Sequence, residues 1–414
     1  MRAGVRVRRI LGSEVTALCV VVFLADVVGG IISPTFSLYA KGLGLSLALI
    51  GLLGTVGGVT QLMTALPAGI LSDRIGRPRL LRAGLFAAAC ATLLFSLADG
   101  PLLLFVGRVL LALSMVATFQ IGAAHLGDIT PRGGRSFAFG CYTTAMGLGF
   151  ALGPLLGGQI AERYSTQVAY QVAACVALLG FGVAVFGLHD RTGDLRRASA
   201  ASARVFSGLR EVVGRKSILL VSFGNLLMSL TFVGAITTFF PIYGDSLFLT
   251  QATIGTMFAL RAFVSTLGRF PNGVISRRFG SQVVMLGALA LEAVVMFGIA
   301  AANSTTALMV FIALDGLAFG AYLVAGQTFL AENTEVEMRG AAVGVYATAS
   351  GLGGTLGAVA LGLIAGRWGV ETVYPVTGAC LLLGFVVCLA AALRLRQPQA
   401  AAVDTVLVDG TADA

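Results

Sequence analysis

Apolar residues run through this chain in long unbroken blocks, without the period-two alternation or narrow stripes of a water-soluble fold. The blocks fall at approximately 15–39, 47–71, 80–98, 102–126, 137–161, 167–188, 217–243, 252–275, 282–302, 305–330, 341–365 and 371–393. A helix rises 1.5 Å per residue, so about 20 apolar residues span the ~30 Å hydrocarbon core of a bilayer. Each block therefore predicts one membrane-crossing helix, and the chain reads as an all-α membrane protein with twelve transmembrane helices. Two stretches break the pattern. Residues 189–216 are rich in Arg, Ser and Ala and read as a cytoplasmic linker, and 394–414 read as a disordered cytoplasmic tail. The organisation that follows is an N-terminal six-helix bundle (1–188), the linker, a C-terminal six-helix bundle (217–393) and the tail.

Composition agrees with lipid as the main solvent. Of the 414 residues 57% are hydrophobic and 11% charged, against about a quarter charged in soluble domains, and mean hydropathy is +0.92. Fifty-five glycines suit helices that approach closely in a membrane. The basic start, Arg2 to Arg9, resembles the head of a secretory signal. The run behind it, from Val15 to Tyr39, is long enough to span the bilayer and lacks a small-residue cleavage site, so it reads as a retained first helix. The six cysteines lie in apolar blocks without metal-ligand spacing, and two histidines cannot build a histidine-rich metal site. No phosphate-binding glycine loop and no nucleophile–histidine arrangement is present, so no enzyme, cofactor or nucleic-acid partner is expected.

Charge placement predicts orientation. Of the 28 Lys and Arg, three (Lys41, Arg163, Arg367) fall on one side and three (Arg108, Arg261, Arg269) lie within blocks; the other 22 fall on the side that carries both termini. Positive residues stay in the cytoplasm, so both termini are expected inside a multi-pass inner-membrane protein.

The two halves align without gaps at an offset of 204 residues. Phe36-Ser-Leu-Tyr39 meets Phe240-Pro-Ile-Tyr243, Pro67-Ala-Gly69 meets Pro271-Asn-Gly273, and Gly147, Gly149, Gly153 and Gly158 meet Gly351, Gly353, Gly357 and Gly362. Parallel six-helix repeats predict a substrate site near the membrane midplane, between the halves and reached alternately from either side.

After the second block the chain reads Gly69-Ile-Leu-Ser-Asp73-Arg74-Ile-Gly76-Arg77-Pro-Arg79. This resembles the signature loop of the major facilitator superfamily. Gly69 would allow close helix packing, Gly76 a tight turn, and Asp73 would pair with an arginine or cap a helix. The resemblance implies a latch made of Asp73, Arg77 and Asp128 that holds the outward-facing state; the bland alternative is that Arg74, Arg77 and Arg79 only set topology. The degenerate second copy has Arg277 in the place of the acid. The fifth block carries Gly149-Phe-Ala-Leu-Gly153-Pro154-Leu-Leu-Gly157-Gly158, which is similar to the antiporter motif of the twelve-helix drug:proton branch of that family. Ordinary glycine packing is the alternative, although the eleventh block has Ala358 where Pro154 stands. Arg108 matches in part the family's arginine of the fourth helix, implied to assist proton transfer.

Charges inside a membrane are costly and need water or a partner. Asp26 and Asp315 lie deep in the first and tenth blocks, which line the central cavity in the family that the chain resembles. Each is a candidate to exchange a proton, or else forms a permanent salt bridge with Arg108 or Arg261. Glu292, in a block expected at the periphery, reads as structurally paired, and His125 as interfacial. Arg261 and Arg269 could hold an anionic group or pair with acids. Phe119, Phe232, Phe239 and Tyr322 could line an apolar pocket or simply pack. The leading expectation is a secondary transporter exporting small organic molecules in exchange for protons, with a monomer as the default. A symporter or facilitator importing a nutrient is the alternative, and a non-transporting receptor on the same scaffold the third reading.

Overall fold

A computed structural model describes residues 12–189, 214–335 and 338–409. The described residues are helical almost throughout and form no strand. Twelve rods follow in order: α1 (Ser13–Gly42), α2 (Leu47–Ile75), α3 (Arg77–Ser96), α4 (Pro101–Ile129), α5 (Arg135–Arg163), α6 (Thr166–Gly187), α7 (Lys216–Ser246), α8 (Gln251–Phe279), α9 (Ser281–Ala301), α10 (Thr305–Glu332), α11 (Arg339–Trp368) and α12 (Val373–Asp409). Eleven of them include a stretch long and apolar enough to cross a bilayer. The other, α8, has 29 residues like α2 and α5, but Arg261, Arg269, Arg277 and Arg278 dilute its hydropathy. Most of the linker read at 189–216 lies outside the described residues. Beyond Arg394 the sequence pattern led to an expectation of disorder, whereas α12 continues as helix to Asp409. Leu395, Arg396, Gln397 and Ala400 to Ala402 favour helix and extend a rod already nucleated within the bundle, against Pro398, which lacks the amide for its bond to the preceding turn.

The repeat at 204 residues is also a repeat of local structure. Ser46 caps α2 by accepting from the Leu49 amide, and Thr250 caps α8 by accepting from Thr253, each satisfying an amide that the helix start leaves open. The turns after α2 and α8 rest on Gly76 and Gly280, with φ of 97° and 89°, a region that glycine alone enters freely. α1 is interrupted between Ile32 and Phe36, and α7 begins a new helical segment at Phe240, the copy of Phe36. Within the halves α1 packs on α5 and α6 as α7 packs on α11 and α12, and α3 packs on α4 and α6 as α9 packs on α10 and α12.

Two symmetry-related seams join the halves, α2 against α11 and α5 against α8. Both depend on glycine. A Cβ at Gly362 would lie 3.0 Å from the Gly51 Cα, and one at Gly158 would lie 3.0 Å from the Gly255 Cα, so backbone meets backbone at both seams. These four residues are themselves copies of one another across the repeat. Beside the seams Lys41 Nζ bonds Asp245 Oδ2 at 2.9 Å, a pair between two further equivalent positions. All these contacts lie in the half of the molecule away from the termini. Toward the termini α2 becomes exposed, with Met63 at 72% and Leu66 at 52%, whereas Ile50 and Leu53 are buried. The halves therefore meet at the end away from the termini, and α2 stands exposed toward the other.

Candidate transport site

The N-terminal half places Asp26 where α1 crosses α5. The strip Gly149, Gly153, Gly157 forms that crossing. A Cβ at Gly149 would lie 2.8 Å from the Asp26 Cβ, one at Gly153 would lie 2.6 Å from the Gly30 Cα, and one at Gly157 would lie 2.7 Å from the Ile31 Cα. Gly158 faces the opposite way, onto α8, and the Pro154 ring abuts Gly30. One motif therefore seats α1 on one face and the opposite half on the other. Helix 11 repeats the packing without the acid: Gly353 and Gly357 press on Leu226 and Leu230 of α7, and Leu230 is the copy of Asp26. A leucine at the equivalent position shows that the crossing itself requires no carboxylate.

Asp26 is 7% exposed, and its Oδ2 has no hydrogen-bond partner. Neither Arg108 nor Arg261 reaches it. The positive charge facing it is Arg269, on α8 of the other half. Arg108 instead stacks on Phe36, with its guanidinium carbon 3.9 Å from the ring centroid. Its buried Nε makes no hydrogen bond, and Tyr170 is the titratable group beside it. Thus Asp26 and Arg108, grouped by sequence as one proton-handling set, occupy separate surroundings.

The C-terminal half carries a denser cluster. Arg261 Nε of α8 donates to Asp315 Oδ2 of α10, and both side chains are buried. The Arg261 guanidinium lies 4.4 Å from the Phe232 ring and 5.1 Å from the Phe319 ring. Phe232 in turn meets Phe150 of α5 across the interface, at 6.4 Å between centroids. Gly316 lets α10 rest on the Arg261 backbone. Of the other aromatic candidates, Phe239 is fully buried in packing, and the Tyr322 hydroxyl donates to the Val221 carbonyl at 2.8 Å. Glu292 does not stand apart at the periphery: its carboxyl reaches the Asp315–Arg261 pair. The pairing expected from the sequence is therefore present, but its partners were not legible, because spans assign a residue to a helix without saying which face points inward.

At the termini end Arg77 bonds Asp73 at 3.3 Å and Asp128 at 2.5 Å, tying together the ends of α2, α3 and α4 within one half; the contacts expected to hold the outward-facing state are thus made while the far side is closed, and they do not bridge the halves. Arg74 is exposed. Gly69 departs from its expected role, since a Cβ there would meet nothing within 4 Å. Nearby, buried His125 contacts Glu14 at 3.4 Å, so it joins α4 to α1. Among the described residues no group of three or more His, Cys, Asp or Glu could hold a metal ion.

Comparison with known proteins fits this geometry. The multidrug resistance protein MdtG of Citrobacter koseri is 26% identical over 392 residues, covering 92% of this chain and 95% of that protein. Two solved structures share the fold. One is a mutant of the nucleoside transporter NupG, with a TM-score of 0.77 at 16% identity, covering 91% of this chain and 99% of that one. The other is a bacterial homologue of the human lysosomal transporter Spinster in an inward-facing, occupied conformation, with a TM-score of 0.76 at 15% identity, covering 91% and 96%. The family profile described as Major Facilitator Superfamily matches residues 18–250 and 225–407. With duplicated six-helix halves, glycine seams between them and a profile match over nearly the whole length, this multi-pass membrane protein belongs to the Major Facilitator Superfamily and is a transporter, not an enzyme.

Proposed function

We propose that the chain is a proton-driven exporter of small, largely apolar or cationic organic molecules, working by alternating access in the inner membrane with both termini in the cytoplasm. The observation that carries this reading is the seat of Asp26. A carboxyl with no bound partner sits at the α1–α5 crossing, at a level where the equivalent crossing has Leu230. An unneutralised acid in the bilayer core costs about 2.5–3.5 kcal/mol on insertion scales, so a position that packing leaves free to be leucine retains the acid for its chemistry. Arg269 is the nearest opposing charge, and it lies across the interface between the halves. Rocking of the halves would change the distance between them and hence the ease of protonating Asp26. The relative named for multidrug resistance supports export, and the arginine bias supports an orientation in which the end that carries the termini faces the cytoplasm. In that orientation Lys41–Asp245 and the glycine seams would close the outer side.

The test is Asp26→Asn in everted vesicles with a lipophilic cationic dye supplied outside. Proton-driven accumulation should fall to background while the amount of inserted protein is unchanged. Undiminished accumulation would remove Asp26 from the mechanism. Substrate entry into right-side-out cells driven by an inward proton gradient would reverse the direction and make the protein an importer.

A further inference from the structure

The cluster around Arg261 in the C-terminal half contains two acids and one base, all withdrawn from water. Asp315 is 0%, Glu292 1% and Arg261 2% exposed. Arg261 neutralises one carboxylate, Asp315, through the Nε–Oδ2 bond. Glu292 lies within hydrogen-bonding range of Asp315 and faces the charge of Arg261. Two ionised carboxylates cannot hydrogen-bond each other, because both are acceptors only; one of them must carry a proton to donate. The unpaired atoms agree. Asp315 Oδ1 and Glu292 Oε2 are both buried without a donor, and a proton held between the two carboxyls would satisfy them. The fold does not require these charges: the equivalents of Arg261, Glu292 and Asp315 in the first half are Gly57, Ala88 and Leu111.

We propose that Glu292 and Asp315 share one proton beside Arg261, and that this pair is a second proton-carrying site of the transport cycle, with Glu292 of α9 a member of it and Arg261 its positioning residue. The role in transport rests on the exporter reading above; the shared proton does not. Among the described residues the one charge that competes with the proton is Arg261 itself, whose Nη2 is also buried without a partner. α8 contributes Arg261 and α10 contributes Asp315, and α12, which also packs on α9, has no acid or base between Cys380 and Cys388. Release is balanced in charge. The O–H bond breaks, its electron pair stays on the carboxylate and the proton passes to cavity water, so the cluster goes from neutral to one negative charge. A lipophilic cation bound in the cavity between the halves would offset that charge, and its departure would call the proton back. This links proton and cation through electrostatics without direct contact between them.

The experiment uses the full-length chain in proteoliposomes. Infrared difference spectra of wild type should show a deuterium-sensitive carboxylic-acid C=O band that Glu292→Gln removes and Asp26→Asn leaves in place. Tetraphenylphosphonium transport driven by a proton gradient should fall at least tenfold in Glu292→Gln, while exchange without a gradient persists. Glu292→Leu, which fits an apolar bundle, gives the same two readouts should the glutamine variant misassemble. An unchanged band in the Glu292 variants overturns the shared proton, and undiminished gradient-driven transport overturns its role in coupling. Wild type that moves no tetraphenylphosphonium but shows the band would defeat the exporter reading and leave the shared proton standing.

Discussion

Replacing Gly153 by alanine tests whether the antiporter-like motif works through backbone contact or through helix flexibility. The added methyl would lie 2.6 Å from the Gly30 Cα and 2.6 Å from the Val27 carbonyl oxygen. Comfortable carbon–carbon contact is about 3.5–4.0 Å, so α1 and α5 must part by about 1 Å. Both obstructing atoms belong to backbone, and no side chain can rotate away. Overpacking of this kind costs about 1–3 kcal/mol. Alanine also gains up to about 1 kcal/mol over glycine inside a helix, which would mask part of the loss. Gly140 supplies the control: it lies on the same helix, and a Cβ there meets nothing within 4 Å. Gly140→Ala collects the propensity gain alone. The difference between the two variants should therefore be about 1–3 kcal/mol, or roughly 5- to 150-fold in the unfolding equilibrium. Unfolding in detergent by a mild denaturant series reads it directly. Equal stability of the two variants would refute close contact as the reason for glycine at this position.

Two other perturbations separate symmetric from asymmetric features. Gly76→Ala and Gly280→Ala should each cost about 1–3 kcal/mol, because both positions hold φ near 90° with extended ψ, a conformation essentially reserved for glycine; thermal unfolding that distinguishes the two strongly would break the equivalence of the turns. The half-exposed Lys41–Asp245 pair should show a coupling of only about 0.2–1 kcal/mol in a double-mutant cycle and lose it at high salt. Cysteine accessibility at the outer face is the readout, and a coupling well above that range would mean that the pair is the main closure and the glycine seams are secondary.

How much of this was legible in the residues differs from one feature to the next. The twelve rods, the equivalence of Gly76 with Gly280 and the glycines at the seams could all be read from one dimension, because hydrocarbon thickness sets a minimum run of apolar residues and duplication leaves its register in the chain. Asp73, Arg77 and Asp128 were likewise grouped by motif, and the structure places Arg77 between the two acids. Gly69 shows the limit of that approach: the motif leads to an expectation of close packing there, and a Cβ would meet nothing within 4 Å.

The partners of the buried charges were settled by tertiary structure alone. Asp26 and Asp315 look alike in the sequence, two lone acids in apolar helices, with Arg108 and Arg261 equally available to both. Helix rotation and crossing decide the outcome. Arg261 is spent on Asp315, Arg108 stacks on Phe36, Asp26 is left facing Arg269, and Glu292 turns inward to join the C-terminal cluster. Hydrophobicity along the chain determines that a segment is in the membrane, since the cost of burial depends on composition. Which charge meets which depends on angles and distances between helices far apart in the chain, and those exist only once the helices have packed.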